Sequence, residues 1–312
     1  MKDLLRTQDL SRDDVELLLE TAAAFAKEPL RSKSALANKS VAIYMTKPST
    51  RTRLSSETAI AHLGGVPIFI RGDELQLGRG ETIADTAKII SGYCSALIIR
   101  TFAQSDVDEL GAHASIPVIN ALTDDDHPTQ LLADWLTIRE NFGKDIAGRK
   151  FVYLGDGNNM SHAWLIMGAI MGAHVVAATP SGKWAPDQKT VEIAKNIAAK
   201  SGGKVEVSHD PEAASKDASV LYTDVWMSMG DSESERDEKV LALSPFAVTE
   251  NLFSLTNKDS IFMHCLPAHR GEEVEASVID GPRSVIWREA YHRRTTIQSL
   301  LFHLTKGDLK GN

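Results

Sequence analysis

Apolar residues first recur at helical spacing. Val15, Leu18, Leu19, Ala22 and Ala26 share one face behind Ser11, a hydroxyl N-cap with Asp14 three residues on. Short apolar runs then alternate with helical patterns. Strands are predicted over Val41–Met45, Val66–Ile70, Ala96–Arg100 and Pro117–Ala121, and helices over Thr50–Leu63, Ile83–Gly92 and His127–Phe142. Gly64-Gly65 stops the second helix, and a polar, Gly-rich stretch runs over 72–80. After the polar run Gly143–Lys150 the pattern restarts. Strands are predicted over Phe151–Leu154, Val175–Ala178, Lys204–Val207, Val220–Thr223, Ile261–His264 and Val285–Trp287. Helices are predicted from Ser161, over Val191–Ala199 and over Tyr291–Lys306, while Asp231–Lys239 reads as a charged loop.

Such alternation is the sign of parallel sheets with crossover helices, and 312 residues suggest two domains. The predicted fold is α/β: two doubly wound parallel-sheet domains joined by helices, with the active site in the interdomain cleft at the strands' carboxyl ends. The first domain spans residues 1–142, with the helix 291–312 packing back on it; the second spans 143–290.

A net charge of −8 with no basic stripe argues against a nucleic-acid surface. No run approaches the ~18 uncharged apolar residues of a membrane helix, and Met1–Leu10 has no apolar signal core. Neither membrane nor nucleic acid is expected as a partner. Cys94 and Cys265 lie in unlike surroundings and do not read as a disulfide framework, which predicts a reducing, cytoplasmic home.

Polar residues collect at predicted strand ends. Lys47-Pro48-Ser49-Thr50-Arg51-Thr52-Arg53 follows the first strand. Helix-start N–H groups, the hydroxyls of Ser49, Thr50 and Thr52, and a guanidinium make an anion cradle there. Arg51 and Arg53, two apart, cannot share a helix face, so Arg51 is assigned to the ligand and Arg53 to a structural pair. A capped helix with solvated arginines is the plainer reading. Arg100 closes a four-residue apolar strand, where a surface charge is the competing explanation. His127 and Gln130 stack at a helix start, one suited to a carbonyl oxygen and the other to a planar amide. The preceding Asp124-Asp125-Asp126 suits a helix dipole.

Leu154-Gly155-Asp156-Gly157-Asn158-Asn159-Met160 invites a dinucleotide reading, weakened by Met160 in the third glycine's place. Asp224 stands at a strand end ahead of Trp226-Met227-Ser228-Met229-Gly230 and suits an ammonium group. His264, Cys265 and His269 suggest zinc, but no fourth ligand follows at a familiar interval, and no metal or other cofactor is predicted. Cys265 is also a candidate nucleophile.

Ser-Thr-Arg-Thr-Arg, Arg100 and His-Pro-x-Gln, in order, resemble the carbamoyl-phosphate domain of the aspartate/ornithine carbamoyltransferase family. The resemblance implies that Ser49, Thr50, Arg51, Thr52, Arg100, His127 and Gln130 bind carbamoyl phosphate. Gln76, in a Gln-Leu-Gly-Arg-Gly-Glu loop, would reach the ligand of a neighbouring subunit, which implies a homotrimer or a multiple of one. The segment from Asp224 to Gly230 resembles the Asp-x-Trp-x-Ser-Met-Gly signature of the ornithine branch. An aspartate acceptor would bring two carboxylates and need a cluster of cations. By the same resemblance Asn159 takes the carboxylate of L-ornithine, and Asp224, Ser228 and the backbone of Met229 hold its α-amino and carboxylate groups. Cys265 contacts its side chain, and the Leu266 carbonyl accepts from the carbamoyl NH₂. Carbamoyl phosphate, with phosphate as leaving group, needs no covalent step. Arg293 rather than Arg294 aligns with the family's last carbamoyl-phosphate arginine, although Tyr291-His292 and Ser161-His162 depart from the family's pattern. The implied reaction is carbamoyl transfer to ornithine's side-chain amine, with Arg100, His127 and Thr52 on the oxyanion. Carbamoylation of aspartate, putrescine or a modified ornithine, and a non-catalytic anion-binding module, are the rival readings.

Overall fold

A computed structural model describes residues 1–74, 80–227 and 232–311. The chain forms two compact units, Met1–Leu136 with Tyr291–Asn312, and Thr137–Ala290.

In the first unit β1 (Ser40–Met45), β2 (Val66–Arg71), β3 (Leu97–Arg100) and β4 (Val118–Leu122) form a parallel sheet in the order β2-β1-β3-β4. α1 (Arg12–Lys27) precedes the sheet, and its Ser11–Asp14 capping box is formed. The crossovers are α2 (Thr50–His62), α3 (Ile83–Tyr93) and α4 (Gln104–His113); α5 (Pro128–Phe142) follows β4. β1 and β3 are buried almost throughout, as central parallel strands must be. Ala42, Leu97, Ile99, Val107 and Leu110 form one of the unit's apolar clusters. The far edge of β4 is covered by the amino-terminal segment: Leu4 N–H donates to the Val118 carbonyl at 2.9 Å, and Asn120 N–H to the Leu4 carbonyl at 2.8 Å.

In the second unit β5 (Lys150–Leu154), β6 (His174–Ala178), β7 (Lys204–Ser208), β8 (Ala218–Thr223) and β9 (Ile261–His264) are again all parallel, in the order β7-β6-β5-β8-β9. Its helices are α6 (Asn159–Ile170), α7 (Gln188–Ser201) and the shorter α8 (Pro211–Ser215), α9 (Arg236–Leu243), α10 (Glu250–Ser254) and α11 (Ala276–Ile279). α12 (Ile286–Leu304) begins in this unit and ends in the first. Among the described residues no helix is long and apolar enough to cross a membrane.

The two-sheet α/β architecture agrees with the alternation in the sequence; two local expectations do not survive, and one helix was not anticipated. Val285–Trp287 is not a strand. Ser284 makes a single bridge to Phe262, and α12 begins at Ile286, burying Ile286 while Trp287 stays 70% exposed. Three β-branched or aromatic residues favour a strand locally, and packing of a 19-residue helix overrides them. The expected charged loop ends in α9, whose Leu243 and Lys239 are buried. α4, with Val107 and Leu110 inward, was hidden behind a polar composition.

Both strand orders reverse direction at one place, between β1 and β3 and between β5 and β8. At such a switch point the flanking loops part and leave a crevice at the carboxyl ends. Met45 pairs with Arg100, and Leu154 with Thr223, so the loops carrying Ser49–Thr52 and Arg100, and those carrying Asn158 and Asp224, open at matched levels within their own units.

Candidate active site

At the β1/β3 crevice Ser49 caps α2, its Oγ accepting from Thr52 N–H at 3.2 Å. No acceptor is found among the described residues for the N–H groups of Thr50 and Arg51, so the helix start presents donors and a positive dipole end. Arg53 turns away from them: it stacks on Phe69 at 3.9 Å and pairs with Glu57 at 3.0 Å.

The remaining groups come from β3, α5 and α12. Arg100 ends β3 and is buried. Arg293 is 2% exposed and donates to Gln130 Oε1 at 2.5 Å, with longer approaches of 3.4 Å to Thr52 Oγ1 and 3.5 Å to Thr129 Oγ1. Gln130 in turn donates to Asp134 at 2.7 Å. Arg294 goes elsewhere, to His62, Gln298 and the Tyr291 hydroxyl, so of the two adjacent arginines Arg293 joins the cluster. His127 is buried. Burial first, then the charges of Arg293, Arg100 and Arg51, hold its pKa well below the ordinary value, and the imidazole is neutral. A neutral imidazole can still donate to a carbonyl oxygen. The cluster therefore suits an anion joined to a polarisable carbonyl.

At the β5/β8 crevice the glycines of Gly155-Asp156-Gly157 serve the turn. Gly155 has φ +136°, and a Cβ on Gly157 would lie 2.2 Å from the Ala185 carbonyl carbon. The close approach of the Ala185–Pro186 backbone is itself a reason for a glycine at 157, with no dinucleotide required. Asn158 caps α6, accepting from Met160 and Ser161 N–H at 2.9 and 3.2 Å and from the Tyr153 hydroxyl at 3.2 Å. α6 thus starts two residues before the sequence expectation, and Asn159 is its first residue. Asn158 Nδ2 donates to Asp224 Oδ2 at 3.2 Å, while Asp224 Oδ1 accepts from Cys265 Sγ at 2.9 Å and Val225 N–H at 2.8 Å. Burial, then Asp224 and Asp156, push the Tyr153 phenol well above its usual pKa, so it stays a donor.

The turn after β9 is held from behind. Leu266, at φ +59°, donates its N–H to His264 Nδ1 at 2.8 Å; His264 Nε2 faces Glu273 at 3.2 Å, and the His264 N–H meets Glu289 at 3.0 Å. With Nδ1 accepting, the proton sits on Nε2, and His264 has no lone pair left for a metal. The three suggested zinc residues separate: His264 and Cys265 group with Asp224, whereas His269 groups with Glu272 and Glu273. Both cysteines are free.

Gln76, Ser228 and Met229 lie outside the described residues. The other predicted residues fall into two groups, one in each unit. Asn158 was passed over for its neighbour, though an Asn just ahead of an apolar helical run is a cap signal. Lys47, buried and paired with Asp124, and Asp126 carried no signal beyond their charge.

Comparison with known proteins agrees with this division. Residues 2–140 match "Aspartate/ornithine carbamoyltransferase, carbamoyl-P binding domain", and residues 147–304 match the Asp/Orn binding domain of the same family. An ornithine carbamoyltransferase of Pyrococcus horikoshii is 48% identical over 98% of this chain and 96% of its own. The solved ornithine carbamoyltransferase of Pyrococcus furiosus superposes with a TM-score of 0.93 at 47% identity, covering 99% of this chain and 98% of that one. An acetylornithine transcarbamylase complexed with acetylcitrulline also matches, with a TM-score of 0.87 at 29% identity over 97% of this chain and 99% of its own. With both parts of the chain matched in order, and both crevices lined as described, the chain belongs to the aspartate/ornithine carbamoyltransferase family.

Proposed function

We propose that this protein transfers the carbamoyl group of carbamoyl phosphate to the side-chain amine of L-ornithine, giving L-citrulline and phosphate, in arginine synthesis. The observation that carries the choice of acceptor is the β5/β8 crevice. There Asp156 is paired with Lys239, while the carboxylate of Asp224, tied to Asn158 and Cys265, suits an amino acid's ammonium and would repel a second carboxylate. The names of relatives 48% and 47% identical support the same acceptor.

In this reading residues 1–142, with 291–312, bind carbamoyl phosphate, and residues 143–290 bind ornithine. Ser49, Thr50, Arg51 and Thr52 hold the phosphate on the α2 start, with Arg293 and Gln130 beside them. The neutral δ-amine attacks the carbamoyl carbon. The carbonyl electrons move onto oxygen, where Arg100, His127 and Thr52 stabilise the oxyanion as preorganised donors. The intermediate then collapses as the bond from the carbamoyl carbon to the phosphate oxygen breaks, and the amine's excess proton passes to the departing phosphate, which leaves as hydrogen phosphate. The Leu266 carbonyl accepts from the carbamoyl NH₂. Asn159, Asp224, Ser228 and Met229 hold the α-amino and carboxylate groups, and Cys265 lies against the side chain. An alkyl amine of pKa about 10.4 needs ~4 kcal/mol to be neutral at pH 7.4, and desolvation by the site lowers that cost. A cytoplasmic homotrimer, with Gln76 reaching a neighbouring subunit's carbamoyl phosphate, completes the proposal.

The test is a colorimetric citrulline assay with purified protein and a panel of ornithine, acetylornithine, aspartate and putrescine. Ornithine should be carbamoylated fastest. A faster rate with any other acceptor, or no ureido product at all, rules the assignment out.

A further inference from the structure

The three aspartates ahead of His127 do three different things. Asp124 pairs with Lys47. Asp125 N–H makes only a long approach to Thr123 Oγ1, at 3.4 Å. Asp126, 9% exposed, turns inward and accepts three hydrogen bonds. Oδ1 takes the His127 N–H and the Thr7 hydroxyl, both at 2.7 Å, and Oδ2 takes the Thr7 N–H at 2.6 Å. Helix capping does not account for this. His127 itself precedes the first residue of α5, and its carbonyl already receives the Gln130 N–H at 3.0 Å. Asp126 stands one residue earlier and satisfies the N–H of the histidine.

We infer that Asp126 is a positioning residue for His127, clasping the start of α5 to Thr7 of the amino-terminal segment and so fixing where the imidazole stands. The inference rests on the reading that His127 acts on the carbamoyl group. Both sides of the clasp are anchored. Leu4 is hydrogen-bonded to β4, the Leu5 carbonyl accepts from Asn120 and Gln104 at 2.9 and 3.1 Å, and Arg6 holds Asp108 through two bonds of 2.7 and 2.6 Å. On the other side Thr123 N–H donates to the Asp126 carbonyl at 2.9 Å. The imidazole's own contact is weak, a 3.4 Å approach of Nδ1 to Thr129 Oγ1. Its placement therefore depends on the backbone, and the short bond there is the one to Asp126. Loss of the carboxylate leaves two buried backbone donors, on Thr7 and His127, without their acceptor, and the turn must shift to rehydrate them. Displacement on the order of 1 Å at a catalytic group costs up to ~100-fold.

Steady-state kinetics and thermal melts of the full-length protein test this, with kcat referred to folded molecules. Asp126→Ala should lower kcat by about tenfold or more with the ornithine KM within about twofold. Asp126→Asn keeps an acceptor for the His127 N–H but turns its amide nitrogen toward the Thr7 N–H, so it should recover part of that loss. Thr7→Val, which deletes one hydroxyl of the clasp, should lose a few-fold in kcat in the same direction. A kcat for Asp126→Ala equal to wild type overturns the inference, as do equal losses in the Ala and Asn variants. Should Asp126→Ala fail to fold, Thr7→Val decides, and an unchanged kcat there counts against the clasp. His127→Ala, measured alongside, separates the two readings. If it keeps full kcat, the assigned role of His127 fails; if it loses kcat while Asp126→Ala does not, only the clasp fails.

Discussion

At the β1/β3 crevice three guanidinium groups, Arg51, Arg100 and Arg293, act on one buried neutral imidazole; at the β5/β8 crevice a carboxylate, Asp224, is held by an amide and a thiol, beside the Asp156–Lys239 ion pair. The two units use the same topological device, a switch point between neighbouring parallel strands, yet fill it with opposite charge. The helix starts differ in the same sense. α6 has its N–H groups at Met160 and Ser161 taken by Asn158, whereas those of Thr50 and Arg51 in α2 meet no acceptor among the described residues. A topology thus supplies a place, and the capping residue together with the strand-end side chains decides which ion is welcome there.

Arg51→Ala should break the comparison hardest. It removes a charge-assisted partner at an anion site, and loss of one such partner costs about 2–5 kcal/mol. Carbamoyl phosphate affinity, measured by calorimetry, should fall by a few hundredfold while the thermal melt stays near wild type. Unchanged binding would mean that the α2 start is only a capped helix. Asp224→Ala is the counterpart in the other unit. The ornithine KM should rise by about tens of fold, with the carbamoyl phosphate KM little changed. Equal rises in both constants would deny that the two crevices serve different substrates.

A smaller effect separates the imidazole from the amine. Because burial and three arginines hold His127 neutral to well below pH 6.5, it adds no limb to the rate profile above that pH. Asp126, pushed up to about 6 by burial, is likewise past its own midpoint. The free amine, with a pKa about 10.4, is still almost wholly protonated between pH 6.5 and 8. kcat/KM for ornithine should therefore rise about tenfold per pH unit across that window, since neutral amine gains tenfold per unit below its pKa. A flat profile would contradict attack by the neutral minority species.

Much of this arrangement could be read from residue order. Alternating apolar runs and helical faces identify two parallel sheets because each element must bury one side. Ser49 and Arg51 at a strand end, and Asp224 at another, were legible because strand ends are where polar side chains have an unusual reason to be. What escaped was set by contacts distant along the chain. Asp126 looks like one of three solvated aspartates until Thr7, 119 residues away, takes its carboxylate. Asn158 and Asn159 differ only in which one precedes the first helical turn, and boundaries are the least certain feature of any periodicity. The strand predicted at Val285–Trp287 failed because α12 packing outweighed local preference.

Arg294→Ala should have the smallest consequence, which gives it value beside Arg293. The two residues are adjacent in α12, so their side chains leave the helix about 100° apart. One enters the cluster at Gln130; the other reaches His62 at 3.0 Å and the Tyr291 hydroxyl at 2.7 Å. Arg293→Ala should cost kcat heavily. Arg294→Ala should leave kcat and both KM values within about twofold and lower stability by about 1 kcal/mol, the usual scale for partly exposed polar contacts. Its clearest signature is His62, whose pKa is lowered by burial first and then by the Arg294 charge. Removing that charge should let His62 titrate closer to its ordinary value, upward and not downward, as read from its imidazole resonances by NMR. A large loss of activity with no movement of His62 would mean that Arg294, rather than Arg293, is the arginine that meets the ligand.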